Sequence, residues 1–211
     1  MKVETYELGP VMTNCYFTIN EDTKETIIVD PADRADIIIK KVNEESLRPV
    51  AILLTHGHFD HISAAEELAK EYHLPIYAAK EEKEIAESPT LNFSTAMRKN
   101  ISLTPTNLLE DNDVIQLAGM NIKVIHTPGH TAGGVCYLFE ESKILFSGDT
   151  LFAGTVGRAD LPTGNLDTLL HSVNHKLMKL SDDITVFPGH GENTTIGYER
   201  KTNPYVTQGG H

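Results

Sequence analysis

The chain has 211 residues, 40% of them hydrophobic, with 30 acidic against 18 basic side chains and a formal charge of −12. That length holds one well-cored domain, taken as residues 1–211, and leaves room for only a small second one. The charge argues against nucleic acid as a partner, because phosphate backbones need basic patches. The N-terminal MKVETYELGP has no apolar centre of the secretory kind, and no apolar run reaches membrane-spanning length. Cys15 and Cys136 each sit inside an apolar run and read as buried free thiols. The expectation is a soluble, cytoplasmic chain without a membrane partner.

In chain order, VETYEL, CYFTI and TIIVD read as strands separated by turn signals at Gly9-Pro10 and Asn20–Asp22. Asp33 is then expected to cap a helix carrying Ile37, Ile38 and Val42. A strand at Val50–Leu54 runs into a loop rich in histidine, followed by a helix over 62–72, a short strand at 76–78 and a charged helix over 80–87. Residues 88–113 show no sustained period and read either as a functional flap or as a plain connector. The second half restarts with VIQLA, IKVIH, VCYLF and ILFSG, then a helix over 166–180, the strand ITVF and a helical turn over 196–201. The first half mixes a strand-rich start with strand–helix alternation, an α/β signature, and each half runs strand-rich first and helix-rich later, so the chain as a whole is expected to be α+β. Tyr16, Phe17, Tyr137 and Phe139 alternate within strands and read as core.

The loop after Val50–Leu54 reads THGHFDH and delivers His56, His58, Asp60 and His61 within six positions. In extended chain, side chains two apart face the same way, so His56 and His58 are placed to grip one ion. Three more strand ends carry a ligand-type side chain in a glycine-bearing turn: His130 in TPGHT, Asp149 in SGDTLF and His190 in FPGHG. Seven such donors exceed one tetrahedral ion and suit two ions sharing a carboxylate. Imidazole with carboxylate suits zinc, iron or manganese.

These four elements, in this order and spacing, resemble the metallo-β-lactamase superfamily, and the resemblance covers essentially the whole chain. It implies a four-layer αββα sandwich, two mixed β-sheets flanked by helices, with a dinuclear centre at its edge. By that resemblance His56, His58 and His130 hold one ion, Asp60, His61 and His190 the other, and Asp149 bridges them. The flanks IHTPGHTAGGVCY, FSGDTLFAGTVGRADLPTGN and VFPGHGENTTIGYERKTNPY look most like the glyoxalase II branch. That branch implies hydrolysis of a small-molecule thioester by water activated between two divalent ions, zinc foremost, with Asp60 also orienting the attacking group. Glyoxalase II proper carries a further C-terminal helical domain contributing to its glutathione site, so the thiol half of the substrate stays open. The persulfide dioxygenase branch shares a segment like Gly157-Arg158-Ala159-Asp160 and uses a single iron; lactonases share the metal core. A non-catalytic protein that kept the fold is the reading from another class, and seven competent donors argue against it.

Around the donors, Asp30, Thr55, Thr131 and Thr150 are candidates to accept the second ring N–H of bound imidazoles, with helix capping the alternative for Asp30. Arg158 reads either as a contact to an anionic substrate or as the partner of Asp160. His171 and His175, four apart on an amphipathic helix, read as solvent-facing. His73 ends a helix, His126 braces the TPGH turn, and His211 closes the sequence as an unordered terminus.

Overall fold

In the computed structural model, which describes residues 1–206, two six-stranded mixed sheets lie face to face between helices. The first half supplies β1 (Lys2–Leu8), β2 (Thr13–Ile19), β3 (Glu25–Val29), α1 (Ala35–Glu44), β4 (Arg48–Leu53), α2 (Phe59–Ile62), α3 (Ala65–Tyr72), β5 (Ile76–Ala79), α4 (Lys83–Glu87) and β6 (Asn107–Leu109). Its sheet runs β1-β2-β3-β4-β5-β6, antiparallel through β3 and parallel from there on. The second half supplies β7 (Val114–Leu117), β8 (Met120–His126), β9 (Val135–Phe139), β10 (Ile144–Gly148), β11 (Leu151–Phe152), β12 (Thr155–Val156), α5 (Leu166–His175), β13 (Thr185–Pro188), β14 (Thr194–Thr195) and α6 (Ile196–Thr202). Its sheet runs β14-β13-β10-β9-β8-β7, with β10 and β13 parallel and β11–β12 forming a separate hairpin.

The central strands are apolar at consecutive positions because both faces are covered. Tyr16, Ile27, Val29 and Leu53 meet Val124, Tyr137, Phe139 and Phe146 between the sheets. Their neighbours Phe17, Ile28 and Ile52 turn outward onto α1 and α3 through Ile38, Val42 and Leu68. On the far side Cys136, Leu138 and Leu145 pack under α5 and α6 through Leu169, Val173 and Ile196. Three apolar layers separated by two sheets are the αββα sandwich, and the period-two alternation of side chains produces them. Tyr16 and Tyr137 keep their hydroxyls satisfied in the core by donating to Pro188 O and Leu54 O. Both cysteines are buried and free. Among the described residues no helix is long and apolar enough to cross a membrane.

Four local expectations change. Asp33 does not cap α1: Arg34, at φ 53°, occupies the cap position, and the Asp33 carboxylate accepts from the Arg34 N–H at 2.8 Å. The helix expected over 62–72 is two pieces, because the Ala64 N–H leaves the helical ladder to bond Pro31 O at 3.0 Å. The helix expected over 166–180 ends at His175 and continues only as a short 3₁₀ turn over Leu177–Lys179. The 88–113 stretch contains β6, which pairs parallel with β5, so part of it belongs to the sheet.

Candidate metal centre

Four strand ends on one edge of the sandwich converge. After β4 the chain bends at Thr55, is extended at His58, and then turns into α2, which carries Asp60 and His61. β8 leads to His130, β10 to Asp149 and β13 to His190. All seven expected donors fall into three overlapping groups whose donor atoms lie within 4.8 Å of one another: His56, His58 and His130; His56, His61 and Asp149; Asp60, His61 and His190. Asp149 faces several rings at once, with Oδ1 3.4 Å from His61 Nε2 and Oδ2 3.5 Å from His130 Nε2 and 3.6 Å from His190 Nε2. Such proximity requires glycine at 189, where a Cβ would stand 2.2 Å from Asp149 Oδ1 and 2.7 Å from His61 Cε1.

Protonation differs across the cluster: two imidazoles are held neutral and two carboxyls ionised, while, against burial, the carboxylates around His61 and His190 favour the charged form of those rings. Burial, reinforced by His61 and His130, holds the His56 imidazole well below its usual range. Burial and His130 hold His58 down to about 3. Both rings therefore stay neutral with a lone pair to offer. Burial alone would push the Asp60 and Asp149 carboxyls up, but the adjacent His61 and further histidines hold both well below the usual carboxylate range. For His61, burial is outweighed by Asp60, Asp30 and Asp149, which push it up. His56 Nε2, His61 Nε2 and Asp149 Oδ1 are buried without a hydrogen-bond partner, a state that folded proteins avoid and that a shared cation removes. His58 Nδ1 and His130 Nε2 face each other at 2.9 Å, and since His130 Nδ1 is 2.7 Å from Arg158 O, its proton belongs on Nδ1 and the lone pair on Nε2.

The groups behind the donors are only partly the expected ones. Asp30, at φ 49° just past β3, accepts from Thr55 N at 2.7 Å and Thr55 Oγ1 at 2.6 Å and lies 2.9 Å from His61 Nδ1. Thr55 Oγ1 is also 3.2 Å from His56 Nδ1. Thr131 does not reach an imidazole: its hydroxyl donates to Glu82, while Thr150 turns to Thr127 at 2.9 Å. Glu82, fully buried, also accepts from Gly57 N at 2.7 Å and Gly133 N at 2.9 Å, so one carboxylate ties the THGHFDH loop to the TPGHT loop. Burial pushes that carboxyl up to about 7 against the pull of these donors. Sequence reading missed Glu82 within the charged run KEEKEIAE; the available signal was its place three and four residues before the buried Ile85 and Ala86, a charge on the apolar side. Two further unforeseen residues are Thr13, which donates to Asp60 Oδ2 at 2.9 Å, and Asn14, which donates to Pro188 O and Gly191 O at 3.0 Å each and so holds the His190 turn.

Arg158 lines the cavity over the cluster, yet its guanidinium is bound in two-point fashion to Asp160 at 2.7 and 2.8 Å. His126 braces the TPGH turn through Nε2, 3.1 Å from Ala132 O. His73 closes α3 at φ 55°, and His171 and His175 lie exposed, with ring centroids 4.4 Å apart. His211 lies outside the described residues.

Residues 8–190 match the Metallo-beta-lactamase superfamily. The chain is 35% identical over 209 residues to hydroxyacylglutathione hydrolase GloC of Haemophilus influenzae, covering 98% of each. Among solved structures it is similar to the BLEG-1 B3 metallo-beta-lactamase, with a TM-score of 0.93, 38% identity and coverage of 98% and 100%. It is also similar to TTHA1623 in a di-iron-bound form, with a TM-score of 0.86, 35% identity and coverage of 96% and 100%. The chain belongs to the metallo-β-lactamase superfamily, whose fold binds metal, and it is a metallo-hydrolase of that superfamily.

Proposed function

We propose that this metallo-β-lactamase superfamily member is a thioester hydrolase of the hydroxyacylglutathione hydrolase kind, acting on a small-molecule thioester. The observation that carries the reading is the convergence of two donor triads on Asp149, supported by likeness along the full chain to the Haemophilus hydrolase. His56, His58 and His130 would hold one ion and Asp60, His61 and His190 the other, with Asp149 between the two groups as a shared donor. Zinc is the first choice of metal, and iron and manganese suit the same donors. Bound there, the ions supply Lewis acidity and acidify water to near neutrality.

The chain's own groups do the rest. Asp60, kept a carboxylate by its histidine neighbours and oriented by Thr13, faces the cavity as the acceptor that aligns the attacking water. Asp30 and the Arg158 carbonyl fix the tautomers of His61 and His130, so that both rings present Nε2 inward. Net, one water is consumed, a C–O bond forms at the acyl carbon as the C–S bond breaks, and a carboxylate, a thiol and one proton are released; the sulfur departs as thiolate without strong acid assistance, so no dedicated acid is needed.

Elemental analysis of the purified protein together with S-lactoylglutathione hydrolysis tests the reading. About two ions per chain with turnover is the expected result. A single iron with oxygen uptake on a persulfide and no hydrolysis would replace it with the dioxygenase reading.

A further inference from the structure

The cavity above the cluster has a volume of about 290 Å³ and, apart from the donors and Arg158, is walled by apolar side chains from separate segments. Val11 comes from the turn between β1 and β2, Phe59 from the head of α2, Phe93 and Met97 from the stretch before β6, and Leu161 from the loop before α5. Val11 and Met97 remain 40% and 41% exposed at this mouth. Large apolar groups gathered in the open around a polar centre mark a ligand groove rather than a core.

Phe93 is held there against its backbone preference, at φ 66°, a region aromatic residues rarely occupy. The buried Asn92 enforces this: its amide donates to Ala86 O at 3.2 Å and Ile101 O at 2.8 Å and accepts from Ser94 N at 2.9 Å. The Asn92 carbonyl accepts from Phe59 N at 2.9 Å, at the start of the helix bearing Asp60 and His61. Strain maintained by surroundings that over-determine it clusters at ligand clamps. Among the described residues that line the cavity, Arg158 is the one Lys or Arg, and its guanidinium is already paired with Asp160, so the wall itself offers an incoming arm apolar contact rather than an ion pair.

We propose that this wall is a subsite for an uncharged aliphatic or aromatic arm of the substrate, so that the centre selects apolar thioesters; the assignment rests on the hydrolase reading above. The contribution comes from apolar area removed from water against Phe93 and Met97.

Two measurements on the protein as purified test it, each with the Phe93→Asn/Met97→Gln variant alongside. Asparagine accepts a left-handed backbone, so the variant keeps the loop, and unchanged metal content confirms it. The first is calorimetric binding of 2-phenylethanethiol against 2-mercaptoethanol, which share the thiol and differ in the apolar arm. The second is kcat/KM for phenylacetyl against acetyl thioesters of N-acetylcysteamine. The expected result is a preference of about tenfold or more for the phenyl ligand in both, falling below about threefold in the variant. No preference in the wild type overturns the subsite, and a preference retained in the variant overturns its placement on this wall. Phenyl-selective thiol binding without any thioester turnover leaves the subsite standing and overturns the hydrolase reading instead.

Discussion

Replacing Glu82 by glutamine conserves volume and removes one acceptor from a fully enclosed site. The amide oxygen can keep the Thr131 hydroxyl and Gly133 N–H, both of which bond Oε1. Its NH₂ then confronts the Gly57 N–H that Oε2 accepts at 2.7 Å. An unpaired buried donor costs about 1–3 kcal/mol, and two facing donors bring the loss to about 2–5 kcal/mol. For a chain of this size that is a fall in Tm of about 5–15 °C. The loss depends on pH. Burial raises the Glu82 carboxyl from its ordinary 4.5 to about 7 in the fold, so its contribution is complete below about pH 4.5 and is lost as pH rises through 7, an effect of at most about 3 kcal/mol. Glutamine does not titrate, and the gap between the two proteins therefore narrows by about 2 kcal/mol between about pH 5 and pH 8. Urea unfolding of both chelator-treated proteins across that range reads it directly, because the histidine titrations they share cancel in the difference. A gap that stays constant or widens with pH would refute the reasoning and show that the three donors, rather than burial, govern this carboxyl.

Asp149→Asn is expected to lose at least one metal ion per chain and most turnover while keeping the fold, checked by elemental analysis and circular dichroism. Gly189→Ala introduces a Cβ against Asp149 and His61 and should cost about 1–3 kcal/mol together with metal content; stability loss with full metal loading would separate packing from the centre. Phe146→Ala removes the ring that meets Tyr16, Phe139 and Phe187 at centroid distances of 5.0, 5.5 and 5.4 Å between the sheets. Urea denaturation should show a loss of about 3–5 kcal/mol with the metal stoichiometry unchanged.

The donors were legible in the sequence because each sits where an apolar strand stops at a glycine-bearing turn, and strand ends in a layered sheet share an edge. The sandwich was what the family resemblance implied, and the structure shows its physical basis: strands apolar at consecutive positions are covered on both faces, with Phe17-Ile28-Ile52 and Tyr16-Ile27-Leu53 as the two faces of one sheet. The sequence by itself thus determined the strand and helix segments and the candidate donors, while the layering came from the family resemblance. The sequence determined only in part which polar groups stand behind the donors: Asp30 and Thr55 do so as expected, while the other contacts join positions far apart in the chain. Thr131 and Thr150 adjoin donors in sequence yet turn to Glu82 and Thr127. Glu82 and Thr13, remote in sequence, reach Gly57 and Asp60. Arg158 was open between substrate and Asp160, and the structure places its guanidinium on the carboxylate two residues along the same exposed stretch. Local pattern encodes what a residue buries against its own sheet; the partner of a buried polar atom is whatever the fold brings within hydrogen-bond reach, and only the assembled tertiary structure decides that.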